Sequence, residues 1–251
     1  MDSPILAADR IKAILFDMNG TLRMRVPDEK WQQQSVEHLL ALLGMPDAPA
    51  SFLEELTRRY KTYTEWADEN ETSLSEAEIW TKWITPELPP ERIVPQAVEL
   101  MLAFRNHNGR HILKPGASAV ISELHRRGYR LGVISNTTST ADLPRFIDVC
   151  GLQKYFEVVI LSSVFGVRKP SPTIFREATR LMRLDPAQYA YIGNKIANDI
   201  AGAHKAGYGM AILVAPGSSP LAAEQAQADK PDLIIHELVN LLDIFQQGSQ
   251  K

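Results

Sequence analysis

The chain has 251 residues, 27 of them basic and 30 acidic, for a formal charge of −3, with 45% apolar and 23% charged residues. This ordinary, near-neutral balance argues against a general nucleic-acid binder. The single cysteine leaves no internal disulfide framework, and no apolar run approaches the ~18–20 residues of a membrane span.

The first ten residues carry acids and no long apolar core, unlike a signal peptide, so a cytoplasmic protein is expected. Residues 11–17 open on a short run in which Ala13, Ile14, Leu15 and Phe16 are consecutive and apolar. That pattern fits a strand buried on both faces in a parallel sheet. Residues 28–107 read as helices. Trp31, Ser35, Leu39 and Leu43 lie at helical spacing, with Asp28 as N-cap and Gly44 as stop. Ser51 with Glu54, and Ser73 with Glu76, form capping-box patterns. Val94, Ala97, Val98, Met101 and Phe104 form a further stripe. All four tryptophans (Trp31, Trp66, Trp80, Trp83) fall in this region, where they read as the core of a small helical bundle.

After Lys114-Pro115-Gly116 the rhythm changes to alternating units. Strands are expected at 131–135, 158–161, 189–193, 210–214 and 233–235. Helices are expected at 117–127, 141–150, 173–182, 199–206 and 238–245. Residues 215–231 read as a loop with a weak helix, and the tail after Gln246 as frayed. Such alternation implies an α/β fold, a doubly wound, mostly parallel, Rossmann-like sheet with helices on both faces. The helical stretch is then an insertion after the first strand. In such sheets ligands sit beyond the carboxyl ends of the strands. Asp17, Asn19 and Thr21 follow the first strand, and Ser135, Asn136 and Thr137 the second. Arg168 and Lys169 come after the third. Asn194, Lys195 and Asp199 follow the fourth. Taken singly, these residues also read as turn formers, a solvated lysine and a helix N-cap. Their convergence from four segments points to a site. His204 reads as structural, and Cys150 as a buried thiol.

Four motifs carry a resemblance: Phe16-Asp17-Met18-Asn19-Gly20-Thr21-Leu22, Val133-Ile134-Ser135-Asn136, Arg168-Lys169-Pro170, and Tyr191-Ile192-Gly193-Asn194 through Asp199. In this order the chain resembles the haloacid dehalogenase-like hydrolase superfamily, most of whose members are magnesium-dependent phosphatases. The resemblance implies a Rossmann-like core of residues 1–22 and 112–251 and a helical cap of residues 23–111. It implies Asp17 as nucleophile, Lys169 as its charge partner, and phosphate binding by Gly20, Thr21, Ser135, Asn136 and Lys169. Mg²⁺ would engage Asp17, residue 19, Asn194 and Asp199. The partner would be a small phosphoester, selected by cap residues among Arg23, Arg25, Arg58, Tyr60 and Trp66, with neither nucleic acid nor membrane involved.

Two positions depart from the family pattern. Its phosphatases carry Asp where Asn19 stands, as general acid and base, and usually Asp where Asn194 stands, as a metal ligand. An amide cannot act as a carboxylic acid–base group, although its carbonyl still accepts a bond. Losing such a group costs about 10²–10⁴ in rate. The resemblance therefore leaves three readings: a slow or atypical phosphatase with weakly bound Mg²⁺, a non-catalytic phosphoester-binding protein, and a metal-independent 2-haloacid dehalogenase. The last lacks support from position 19, from Phe175 and from the residues before Asp199, where those relatives place other side chains.

Overall fold

The structure is a computed structural model that describes residues 8–215 and 229–246. The tail expected after Gln246, and most of the segment expected over 215–231, lie outside the described residues. The strands, in chain order, are β1 (Ala13–Phe16), β2 (Arg23–Val26), β3 (Arg110–Leu113), β4 (Arg130–Ser135), β5 (Phe156–Leu161), β6 (Tyr189–Gly193), β7 (Met210–Val214) and β8 (Leu233–Ile235).

Six of them form one sheet in the order β5-β4-β1-β6-β7-β8, and every neighbouring pair is parallel. β1 lies at the centre, and all four of its side chains are fully buried. Ile14 and Phe16 pack on one face with the helices Ala117–Arg126 and Asp142–Val149. Ala13 and Leu15 pack on the other with Pro172–Met182 and Ala201–Lys205. A strand covered on both faces needs a continuous apolar run, which is what Ala13 to Phe16 supply. From β1 the sheet grows through β4 and β5 to one side and through β6, β7 and β8 to the other. The ends of β1, β4 and β6 therefore meet at a topological switch point, where this architecture opens a crevice.

The helical region has an apolar core of its own, built from residues such as Leu39, Leu56, Tyr63, Trp80 and Phe104. Its first long helix, Glu29–Leu43, is capped by Asp28 and stopped by Gly44, as the sequence implies. Several local expectations fail there. Trp31 is 39% exposed and stands outside the core. Val94 and Val98 also face solvent, and the buried stripe runs instead through Ala97, Leu100, Met101 and Phe104. Ser51 lies inside a helix that begins at Ala50 after Pro49. The capping box near residue 75 is Ser75 with Glu78. Ser73 and Glu76 have tertiary partners: Ser73 Oγ donates to Ser162 Oγ (2.9 Å), and the Glu76 carboxylate accepts from the backbone N–H (2.6 Å) and hydroxyl (2.8 Å) of Thr140.

Sequence reading also missed β2 and β3. They pair antiparallel and flank the helical region, with Arg25 opposite His111. Each is four residues long and half polar, too short for a periodic signal. The fourth-motif helix starts earlier than expected, in a π-helical turn at Ile196–Ile200. No helix of the described residues is long and apolar enough to cross a membrane.

Candidate active site

Asp17 follows β1, and its carboxylate is almost wholly buried. The Lys169 ammonium donates to Asp17 Oδ1 (2.7 Å), to Asp199 Oδ1 (2.6 Å) and to the Tyr191 hydroxyl (2.8 Å). The Tyr191 hydroxyl in turn donates a hydrogen bond to the Ile134 carbonyl (2.9 Å), so the lysine has a fixed position. Burial opposes the ammonium, but Asp17 and Asp199 together outweigh it, and the Lys169 pKa is raised. Burial also raises the Asp17 pKa, with Lys169 opposing and Asp199 adding to the rise. One cation shared by two carboxylates leaves the trio one negative charge in excess.

Asn136 acts on Lys169 through the backbone. Its amide accepts from Lys169 N–H (2.9 Å) and donates to Lys169 C=O (2.9 Å). Both ends of the Asn136 side chain are thus committed to the lysine. Gly20 is likewise committed: its N–H donates to the Arg23 carbonyl (2.8 Å), and its carbonyl accepts from Lys114. Gly20 has φ +87°, and a Cβ there would lie 2.3 Å from Asn194 Nδ2, so this turn requires glycine. Thr21 Oγ1 lies 3.2 Å from Asp17 Oδ2 and 3.4 Å from Asn194 Oδ1, which brings the first and fourth motifs together. Asp199 Oδ2 accepts from the backbone N–H groups of Asn194 (3.0 Å) and Lys195 (2.9 Å). Asp199 folds back over Gly193, where a Cβ would come within 2.3 Å of its own Cβ.

Three of the five buried side-chain atoms that lack a partner among the described residues belong to the second and third motifs. Ser135 Oγ and the Nε and Nη1 of Arg168 have no hydrogen-bond partner among the described residues. Arg168 Nη2 pairs with Asp68 of the helical region at 2.8 Å. Arg168, Lys169, Asp17, Asn194 and Asp199 line a cavity of about 130 Å³. Unpaired buried donors are costly unless a ligand satisfies them.

The donor set also bears on Mg²⁺. Among the described residues, no group of three or more His, Cys, Asp or Glu could hold a metal ion. Asp17 and Asn194 nonetheless bring hard oxygen donors to one cavity, and Asp199 has both oxygens engaged. Mg²⁺ commonly takes one or two carboxylates and completes its shell with waters and substrate phosphate oxygens, so this set fits a weakly held, substrate-assisted ion.

Asn19 lines a second, larger cavity of about 490 Å³ as well as the first. Its Oδ1 accepts from Arg23 Nε (2.8 Å). Arg23 is fully buried and forms a fork with Asp142, with Nη2–Oδ2 at 2.7 Å. Arg105 reaches the same Oδ2 at 3.0 Å and Thr138 Oγ1 at 3.2 Å. Burial would raise the Asp142 pKa, but Arg105 and Arg23 more than offset it and hold the carboxyl well below its usual range. His111 is pushed down to about 4 by burial and then by Arg23.

Of the five candidate cap contacts, Arg23, Arg25 and Tyr60 line this cavity. Arg58 is exposed and pairs with Glu55 on its own helix, while Trp66 packs on Trp83, ring centroids 5.2 Å apart. Arg105 and His111 were missed by sequence reading. The one available signal was a lone arginine following the apolar stripe that ends at Phe104.

The chain is similar to known proteins over most of its length. A family model described as haloacid dehalogenase-like hydrolase matches residues 11–207. A phosphoserine phosphatase of Thermus thermophilus is 27% identical, covering 91% of this chain and 96% of that protein. A glyceraldehyde 3-phosphate phosphatase of Methanothermobacter thermautotrophicus is 29% identical, covering 94% and 100%. Among solved structures, a 2-haloacid dehalogenase from Pseudomonas syringae pv. Tomato matches with a TM-score of 0.69 at 24% identity, covering 94% of this chain and 98% of that one. A magnesium-bound hydrolase of this type from Bacillus subtilis matches with a TM-score of 0.62 at 18% identity, covering 94% and 99%.

Proposed function

Because the chain belongs to the haloacid dehalogenase-like hydrolases, we propose that it is a phosphatase of small phosphorylated metabolites, acting through an aspartyl phosphate on Asp17. In this reading residues 1–22 and 112–251 are the catalytic core, and residues 23–111 form a cap over the site. The observation that carries it is the Lys169 ammonium bonded to both Asp17 and Asp199, beside buried donors that lack acceptors. Phosphoryl oxygens would supply those acceptors. Relatives named as phosphatases align with more than nine-tenths of the chain and support the same reaction class.

An Asp17 carboxylate oxygen attacks phosphorus, and the bond from phosphorus to the leaving oxygen breaks. Lys169 opposes the burial that raises the Asp17 pKa, which favours the ionised nucleophile, and offsets charge gathered by the phosphoryl oxygens. Ser135 and Arg168 donate to those oxygens. Mg²⁺, when held by Asp17, Asn194 and the backbone carbonyl of residue 19, supplies further positive charge to the same oxygens. Asn19 has no acidic proton, and Arg23 already occupies its Oδ1. The leaving alkoxide therefore takes its proton from water. Water then attacks the aspartyl phosphate without a positioned base. Both steps run slower for it, by up to about 10²–10⁴.

The test is phosphate release across a phosphoester panel with and without Mg²⁺, beside Asp17→Asn and with 2-chloropropionate as a further substrate. Magnesium-dependent phosphate release is expected, falling by roughly 10³ or more in the variant. Chloride release in place of phosphate would identify a dehalogenase. Neither product would identify a binding protein that has lost its chemistry. Either result sinks the phosphatase reading.

A further inference from the structure

The larger cavity has a charge balance that the reaction at Asp17 does not use. Arg23, Arg25 and Arg105 line it, and none of its lining residues is a carboxylate. Asp142, just outside the lining, pairs with Arg23 and Arg105. Arg25 forms no ion pair among the described residues; its polar neighbour is His111 Nε2 at 3.5 Å. Three guanidiniums thus face one carboxylate. Phe104 and Tyr60 form an apolar wall beside them, their rings edge to face at 5.1 Å. The excess is placed where it can act on substrate, because Asn19 lines both this cavity and the one that holds Asp17.

We propose that this cavity binds a second anionic group of the substrate, with Arg25 as its main contact, so that the protein selects phosphoesters bearing a carboxylate or a second phosphate over neutral ones. The inference rests on the phosphatase reading for the position of the first anion. Arg23 and Arg105 are anchored by Asp142 and set the positive field, while Arg25, opposite His111 on the β2–β3 ribbon, is left to meet the ligand. A guanidinium fork suits either a carboxylate or a phosphate. A neutral hydroxymethyl group at the same place would leave the excess charge uncompensated.

The experiment uses two matched pairs with the full chain and Mg²⁺. In 3-phosphoglycerate a carboxylate stands where glycerol 3-phosphate has a hydroxymethyl group. Fructose 1,6-bisphosphate and fructose 6-phosphate differ by a second phosphate. Binding is measured by calorimetry in the Asp17→Asn protein, so that turnover does not interfere, and phosphate release in the unaltered protein. In at least one pair the more anionic member binds about tenfold or more tighter, the worth of one charge-assisted contact. Adding Arg25→Gln narrows that ratio to within about threefold. A contrast in the first pair identifies a carboxylate, and in the second a phosphate. Equal binding within both pairs, or a contrast that Arg25→Gln leaves intact, overturns the inference. Phosphate release with equal binding would spare the phosphatase reading and remove only this one. A binding contrast without phosphate release from any ester would do the reverse.

Discussion

Around Asp17 a single ammonium is shared by two carboxylates, whereas the neighbouring cavity is lined by three guanidiniums, of which Arg23 and Arg105 share the one carboxylate of Asp142. The two places touch at Asn19 and differ in how they are built. The first is assembled at the ends of adjacent parallel strands, with Lys169 clamped by Asn136 and Asp199 held by two backbone N–H groups. Its geometry follows from the sheet. The second is assembled from a short ribbon, two helices of the separate helical core and loop residues. Its geometry depends on how the helical region meets the core, and Asp142 is the charge that ties the two. In the proposed reading, chemistry sits at the strand ends and selection at the joint beside them.

That contrast is broken most severely at Asp142. Asp142→Asn leaves Arg23 and Arg105 buried without their shared anion, and removing one partner of a buried ion pair costs about 3–5 kcal/mol. Glu99→Gln removes the exposed partner of Arg145, and such surface pairs are worth about 0–1 kcal/mol. Denaturant unfolding of the two variants checks the ranking. Equal losses would show that Asp142 carries no special load at the joint.

The next test acts at the shared residue. Asn19→Asp installs the acid–base group that family phosphatases have. Arg23 Nε already lies 2.8 Å from Oδ1, so a carboxylate there would be ion-paired and held ionised. A general acid must carry a proton. Turnover should therefore rise by only about tenfold, short of the ~10²–10⁴ that a free group delivers. A gain of the full size in steady-state assays would mean that Arg23 does not hold residue 19 during the reaction.

The smallest expected effect is in pH dependence. His111 stays neutral in the fold down to about 4, whereas an unfolded histidine protonates near ~6.5. Between those values the unfolded chain binds more protons, so His111 makes stability fall as pH drops from about 6.5 to 4. Burial lowers His107 too and works in the same sense, while His204, raised by its bond to Asp232, works against it. The comparison is therefore between the unaltered protein and His111→Asn. The variant should lose slope in that window, by at most about 1.4 kcal/mol per pH unit. An unchanged slope would show that the arginine-lined cavity does not hold His111 neutral.

The same division governs what the residues disclosed in advance. β1, β4, β6 and β7 were legible to within two residues, because strands covered on both faces demand contiguous apolar runs. Asp17 was legible because it follows a buried strand that has to end there, and Lys169 and Asp199 were legible as motif positions further along the chain from β5 and β6. Asn136 and Gly20 were legible as positions only. Whether an amide meets a ligand or clamps a lysine backbone depends on a partner 33 residues away. Ser73 and Glu76 carried the letters of a capping box, yet Ser162 and Thr140 on the core take their side chains. The arginine-lined cavity was the least legible of all. Arg23, Arg25 and Arg105 come together only when β2 pairs with β3 and the helical core packs beside them, and nothing in local spacing encodes that.

The central claim is that Asp17 still forms a phosphoryl adduct although residue 19 is an amide. The most direct measurement is an acid quench of the protein mixed with Mg²⁺ and an aryl phosphate, followed by mass spectrometry of the peptide containing Asp17. An aryl leaving group needs little protonation, so the first step should proceed while the second, lacking a base, lags. A phosphoryl increment on Asp17 is expected to build before steady phosphate release and to be absent from Asp17→Asn. Phosphate release with no adduct at any quench time, or an adduct on another residue, would contradict that claim.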